Sequence, residues 1–445
     1  GRFTIEDFDS YFMKWRRNFD LFDEETPFRQ HPKLAVIRDG VESPVLLTTL
    51  LHEYSTDSCK SVFNHLDEQE EIIVEPAEAA VILIKAQCYH FGGLNRKSSN
   101  LLGFQQSFPG AALLGGICVY LTGDSLFETL MYNLLEYSAE KPKEIPSTPD
   151  DAPSWERPLD VRTGTQVPKG YLDYLTANSR LIRFVPETVG GRTVVRKMHI
   201  AQGPSFSEVR EPFFFRKKNA KEEYFYPRLD TDRALWRDSS ALFAFSTEGK
   251  DDERPVPFRQ YGAYREYGDR GTERAFLKCE AYGLAYNQAN PYAWRSDSLT
   301  FPSELLSNED LVSTLLKGLQ IGERVGVVLS DSVKTFMKNR SEKDQSEQVS
   351  GKAAASGVLA TFWAGLELPF RSFLANVNRE ESLRTWYKAL TSTARRAHET
   401  GLSVFVGRSA LGYKAWYESK AELDRGLVMI FSKGTVKKPV QMEVE

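Results

Sequence analysis

From about Asn308 the apolar residues of this chain fall three and four apart, and that rhythm commits its last third to helices. Leu311, Leu315, Leu319, Gly322, Gly326, Leu329, Val333 and Phe336 trace one stripe along the first of them. Gly318, Gly322 and Gly326 stand four apart on one face. Each glycine costs a helix interior about 1 kcal/mol against alanine, so three cost about 3 kcal/mol. Close approach of a neighbouring helix is the compensation this spacing predicts, with a partner's backbone as the alternative. A polar gap at 339–350 ends the helix. A second is predicted over 353–375, kinked at Pro369, which cannot donate to the ladder. A third is predicted over 380–398, with Leu383, Trp386, Leu390 and Ala394 inward. A fourth covers 409–425, with Trp416 and Leu423 inward. Helices joined by short connections give an antiparallel four-helix bundle over 303–445.

Residues 1–302 follow another grammar. Apolar runs are short and broken by Gly, Pro and Asp, which predicts strands and long loops with a few helices. The fold class is therefore α+β: a large mixed N-terminal domain, then the bundle. Phe8, Tyr11, Phe12, Trp15 and Phe19 recur at helical spacing and predict one apolar helix face. The sequence opens at Gly1 inside that segment, so a missing upstream piece is expected. An Ala-rich helix is predicted from Pro76 to Cys88, a strand over 110–123, and a helix capped by Asp124 or Ser125 and running to Leu135. A short helix over 171–176 precedes strands over 180–185 and 194–200. Phe213, Phe214 and Phe215 followed by Arg216, Lys217 and Lys218 read as a charged hairpin tip, with a strand edge near phosphate as the alternative.

Two stretches are candidates for binding. The first, residues 282–297, holds Asn287, Gln288, Asn290 and Pro291 between Tyr282, Tyr286, Tyr292 and Trp294. Pro291 keeps Asn290 out of helix, so the reading is a firm loop with amides at its tip. Amides read base edges and aromatics stack on bases. The competing reading is an interdomain loop whose amides cap turns. The second stretch is Phe91-Gly92-Gly93, with Arg96 and Lys97 close behind. Paired glycines let a backbone approach a ligand, and the basic pair suits a phosphate. The alternative is a helix C-terminal stop.

Charge and motifs exclude much else. The chain carries 57 basic and 61 acidic side chains, a formal charge of −4, so bulk charge does not draw it to nucleic acid. Local sites or basic partners must do so. Cys59, Cys88, Cys118 and Cys279 lie far apart, with no metal-type pair, which fits a reducing cytoplasm. No apolar run reaches membrane-spanning length, and no signal peptide is expected. Nucleophile elbow, zinc-protease pair, P-loop and kinase signatures are all missing. No catalytic residue, metal or cofactor is expected.

Several stretches match one family in order. They are Trp15, Phe19-Asp-Leu-Phe22 and Pro27-Phe-Arg-Gln30, the Gly92-Gly93 loop, Asp124-Ser-Leu-Phe-Glu-Thr-Leu130 with Asn133, and Trp155 before Pro158. Tyr174-Leu-Thr176 with Arg180 and Arg183, Leu235-Trp-Arg237, the 282–294 stretch and Leu374-Ala-Asn-Val-Asn378 follow. The chain thus resembles the CasA large subunit of the type I-E CRISPR Cascade surveillance complex. The resemblance implies a non-catalytic, cytoplasmic subunit that checks double-stranded DNA for a protospacer-adjacent motif from the minor groove. It implies help in starting the R-loop and recruitment of a helicase–nuclease. Guide RNA and the other Cascade subunits are the implied partners, with no membrane. The family's glutamine wedge maps to Asn287, Gln288 and Ala289, and its glycine loop to Gly92 and Gly93. Its lysine finger maps to Arg196 or Lys197. The loop meeting the guide-RNA handle and neighbouring subunits maps to Val62, Phe63 and Asn64. The cysteine-rich zinc loop of some relatives has no counterpart, so no zinc is expected. The rival from another class is a cytoplasmic enzyme, a hydrolase for instance, with an unrecognised site in the N-terminal domain. A third is a helical adaptor that binds only protein.

Overall fold

Gly190 and Gly191 turn the chain with φ +58° and +79°, the positive pair that a two-residue hairpin needs. They join the antiparallel strands Arg180–Val189 and Arg192–Gln202, with Val189 opposite Arg192 and Arg180 opposite Gln202. The computed structural model describes residues 4–54, 66, 69–94, 107–135, 148–158, 165–206, 209–229, 233–245, 253–267, 274–287, 290–340, 349, 351–353 and 356–432. It forms two units. The first comprises Gly1–Cys118, Leu135–Pro212 and Tyr282–Arg295; the second comprises Val119–Leu134, Phe213–Ala281 and Ser296–Glu445.

The first unit is built on that strand pair. Strand Val45–Leu46 adds to the free edge of Arg192–Gln202. Register slips between Val185 and Pro186. A proline has no ladder donor, yet pairing resumes beyond it, so the strand outruns the predicted end at Val185. Helix Pro76–Tyr89 starts on proline, whose missing N–H is an orphan there anyway. It buries Ala79, Leu83 and Ala86 in one core with Ile182, Val195 and Met198 of the strands. The predicted apolar face near the start is divided. Helix Ile5–Lys14, closed by a Thr4–Asp7 capping box, buries no residue, and Phe19 sits on a separate 3-10 turn, Arg16–Phe19. That turn aims Phe19 at Phe28 and Trp155, with ring centroids 5.8 and 5.7 Å away.

In the second unit, Ser125 caps Leu126–Tyr132 by accepting from the Glu128 amide. The predicted strand over 110–123, whose residues up to Cys118 belong to the first unit, is shorter than expected: Ala112–Gly115 is a 3-10 turn and only Cys118–Thr122 is strand. The four-helix part forms as the periodicity predicts, on Glu309–Asn339, Val358–Gly365 with Glu367–Ala375, Ser382–Val406 and Ala410–Ser432. The second helix breaks at Leu366 and not at Pro369. A proline cannot bond to the carbonyl four residues back and its ring clashes there, so the break falls a turn earlier. Pro369 then occupies the first turn of Glu367–Ala375, where amides lack helical partners in any case. The third and fourth helices run on to Val406 and Ser432, past the predicted ends.

The glycine stripe faces rings. A Cβ on Gly318 would lie 2.6 Å from the Phe373 ring, and one on Gly326 would lie 2.6 Å from Trp363. Trp386 also donates from Nε1 to the Gly318 carbonyl at 2.8 Å. Close helix packing is therefore what the glycines permit.

Residues 282–297 are not a loop. They belong to a hairpin of strands Phe276–Asn287 and Asn290–Pro302, in a three-stranded sheet with Cys118–Thr122. Tyr282, Leu284 and Tyr286 alternate at the strand period, and that pattern outweighs the turn signal of Asn and Pro. Asn290–Pro302 is the edge strand of this sheet, where Pro291 is tolerated. The hairpin enters the first unit at Tyr282 and leaves it after Arg295. Among the described residues no helix is long and apolar enough to cross a membrane.

Candidate nucleic-acid interface

Helix Pro76–Tyr89 ends without a glycine cap: His90, its C-cap, is extended at φ −69° and ψ 141°. Gly92 and Gly93 therefore do not stop the helix, and the chain leaves it as strand. Gly93 pairs with Phe108 and Leu94 with Ser107. The two glycines answer different needs. A Cβ on Gly92 would sit 2.8 Å from the Gly110 nitrogen and 3.0 Å from the Phe108 oxygen, so backbone contact requires glycine. Gly93 has φ +129° with no described atom within 4 Å of a Cβ, so it is glycine for conformation, on an open side.

Arg180 holds this turn from beneath. Its fully buried guanidinium donates to the carbonyls of Ser179, His90, Phe91 and Pro109, at 3.0, 3.2, 2.8 and 2.6 Å. Gln87 bonds both the amide and the carbonyl of Arg180, at 2.9 and 2.7 Å. Among the described residues no carboxylate pairs with Arg180, and burial lowers its pKa to about 9. Four carbonyl dipoles take the place of a counter-ion.

The hairpin tip rests on the same turn. Phe91 meets Tyr286 edge-on at 5.1 Å between centroids. Trp294 stacks on His52 at 5.8 Å and 25°, and receives Tyr89 edge-on at 5.0 Å. Lys85 lies over the Trp294 ring at 5.5 Å and pairs with Glu53 at 2.7 Å. Burial, with the charge of Lys85, holds His52 near pKa 4. Burial and Arg180 hold His90 near 3. Both rings are neutral at pH 7, so His52 offers Trp294 an uncharged face.

The structure thus brings the Gly92-Gly93 turn and the 282–294 stretch together. Asn287 ends its strand beside them; Gln288 and Ala289 lie outside the described residues, as do Val62, Phe63 and Asn64. Arg196 and Lys197 lie on Arg192–Gln202. Lys197 stands opposite Val185, five residues from the Arg180–Gln202 pair, roughly 17 Å along the strand. Both are ion-paired. Arg196 faces Glu71 at 3.7 Å and Glu187 at 3.6 Å, and Lys197 faces Glu71 at 3.5 Å. On the bundle, Arg395, Lys414 and Lys420 pair with Asp424, Glu418 and Glu399, as a solvated charged face does.

Sequence reading missed the roles of Arg180, His52 and Phe91. Arg180 reaches carbonyls 90 and 89 positions away, and no local spacing encodes that. The one available signal was Arg180 at the start of a strand whose next residues are apolar apart from Arg183.

The family model of CRISPR-associated protein Cse1 matches residues 1–397. The CRISPR-associated protein CasA/Cse1 of Thermus thermophilus is 27% identical over 442 residues, covering 96% of this chain and 82% of that protein. The crystal structure of CasA from Thermus thermophilus superposes with a TM-score of 0.76 at 25% identity, covering 96% of this chain and 84% of that one. A chain in a structure of a CRISPR RNA-guided surveillance complex shares the fold, with a TM-score of 0.72 at 17% identity over 95% of this chain and 83% of its own.

Proposed function

The chain belongs to the family of the CRISPR-associated protein Cse1, and on that premise we propose that it is the non-catalytic large subunit of a Cascade-type surveillance complex. In this role it assembles with guide RNA and the other subunits. It recognises a short protospacer-adjacent motif in double-stranded DNA, helps start the R-loop, and recruits a helicase–nuclease.

The observation that carries the reading is the contact of Phe91 with Tyr286, which sets a glycine turn beside a hairpin tip. Gly93 offers backbone on an open side, suited to lie against a groove wall. The family resemblance assigns the inserted amides to Asn287 and Gln288. The minor groove has a degenerate code, so a reader there accepts several motifs. Inserting a side chain unstacks a base step at a cost of about a few kcal/mol, which backbone contacts offset. Guide RNA reads the rest of the sequence, so a short motif check suffices. The net charge of −4 fits a subunit whose partners supply the basic channel.

The test is made on the assembled complex. It should copurify with guide RNA and bind linear duplex targets. Asn287→Ala with Gln288→Ala should weaken duplex binding about ten- to a hundred-fold, the scale of a lost base-edge contact. Binding of a single-stranded target should hardly change. Recovery of the chain without RNA or other subunits would sink the reading, as would metal-dependent DNA cutting by the isolated chain that is lost with one carboxylate cluster. The latter result would favour the enzyme alternative.

A further inference from the structure

We infer that Trp294 is a positioning residue, which holds the strands of the hairpin against the segment that leads into the glycine turn so that the two engage DNA together. The inference rests on the proposed reading of the tip as a wedge. It adds the residues that hold the wedge.

A wedge acts only if its mount resists the force that the base stack returns. A hairpin tip with no support bends instead. Here the tip strands carry Tyr286 and Trp294, and both rings land on one short segment. Tyr286 meets Phe91, the residue before Gly92. Trp294 meets Tyr89, two residues earlier, and stacks on His52. Lys85, one turn back on the same helix, covers the indole from 5.5 Å and is held there by Glu53. The segment is itself fixed, because Arg180 ties down the carbonyls of His90 and Phe91. Ring, helix end and buried guanidinium make a continuous path from the core to Trp294 and Tyr286.

Trp294 is 40% exposed on this edge strand, so its ring is partly covered by the contacts named above. Its partners also suit a fixed orientation. His52 has no described hydrogen-bond partner for either ring nitrogen, so its part in this cluster is its ring face.

The experiment uses the assembled complex with Trp294→Leu, Trp294→Phe and each combined with Asn287→Ala/Gln288→Ala. Affinity is measured on linear duplex, on a duplex with a pre-opened bubble beside the motif, and on single strand. Trp294→Leu should lose about tenfold on linear duplex, the scale of its ring contacts. The bubble should restore much of that loss, and single-strand binding should stay level. Trp294→Phe should recover most of the duplex affinity. The combined variant should lose no more than the wedge variant alone, because a mount without a wedge has nothing to support. Equal losses on all three substrates, or additive losses in the combined variant, would overturn the inference. Tyr286→Leu, on the other strand of the same tip, is read by the same criteria if Trp294→Leu fails to assemble. A wedge variant that loses duplex binding while Trp294→Leu and Tyr286→Leu do not leaves the function standing and removes the mount. A wedge variant without effect removes the function itself.

Discussion

Arg180 donates from its buried guanidinium to the carbonyl of Phe91 at 2.8 Å, and so ties the first strand of the core to the turn that carries Gly92 and Gly93. The planar fork reaches four carbonyls at once, which a single ammonium cannot.

Arg180→Lys should therefore destabilise the first unit by about 2–4 kcal/mol, since each buried carbonyl left unpaired costs about 1–3 kcal/mol. Urea denaturation followed by near-ultraviolet circular dichroism would register it. A loss under 0.5 kcal/mol, roughly what a surface substitution gives, would mean that water satisfies the carbonyls.

The two turn glycines should separate in their effects. Gly92→Ala drives a Cβ into the backbone of Gly110 and Phe108, so it should lower the melting temperature. Gly93→Val has room but the wrong φ, at a cost of about 1–3 kcal/mol in strain. It should let the complex assemble and impair duplex recognition. Normal duplex binding by Gly93→Val would reduce the glycine to a structural turn.

In the bundle, neighbouring glycines should give opposite signs. A Cβ on Gly322 meets Leu390 and Trp386 at 3.6 Å, an ordinary contact. Gly322→Ala should stabilise by about 0.5–1 kcal/mol through helix propensity. Gly318→Ala presses on buried Phe373, itself stacked on Trp386 at 5.6 Å. Overpacking of about 1–3 kcal/mol should exceed the gain. Thermal melts of the two variants decide it, and a stabilised Gly318→Ala would show that the rings yield.

Acid should unfold the protein earlier than its carboxylates alone would. His52, His90 and His398 are held near pKa 4, 3 and 4, first of all by burial, against an ordinary value of 6.5. The neutral form is favoured in the fold, so the unfolded chain takes up the extra protons. This contribution is complete above pH 6.5 and is lost as pH falls toward 4 and 3. Within that window each proton costs about 1.4 kcal/mol per pH unit. His52→Phe keeps a ring against Trp294 and removes one titration. Its stability should fall less steeply between pH 6.5 and 4.5, and an unchanged slope would refute the assignment.

Much of the bundle was legible because helical periodicity is a local signal: the stripe from Leu315 to Phe336 and the close-packing glycines can be read residue by residue. Its helix ends were not, since Pro369 acts on the carbonyl a turn before it. The 282–297 stretch was misread because Asn and Pro are turn signals wherever they stand, and only the strand order shows that Pro291 lies on an edge. Of the candidate site, Gly92 and Gly93 stand out in the sequence by their pairing. The rings that join them to the hairpin do not, because Phe91 and Tyr286 meet across almost 200 positions.

The last prediction separates Arg196 from Lys197. Arg196 is fixed between Glu71 and Glu187 and its side chain is 25% exposed; Lys197 shares only Glu71 and is 38% exposed. A phosphate must displace these carboxylates to win a contact, and Lys197 has fewer to lose. Its flexible stem also lets the ammonium swing away from Glu71, which a guanidinium bridging two acids resists. If the basic finger is Lys197, each contact it makes with phosphate releases counter-ions. Lys197→Ala should then weaken duplex binding nearly uniformly across motifs and lower the slope of log affinity against log salt by about one. Arg196→Ala should change the slope little and cost stability instead, because it removes the cation paired with Glu187, while Glu71 keeps Lys197. Glu71→Gln should free Lys197 and strengthen binding at low salt. The measurement is duplex affinity of the assembled complex over a salt series for the three variants. A slope change with Arg196→Ala and none with Lys197→Ala would move the finger one residue back, to the side chain now held by two acids.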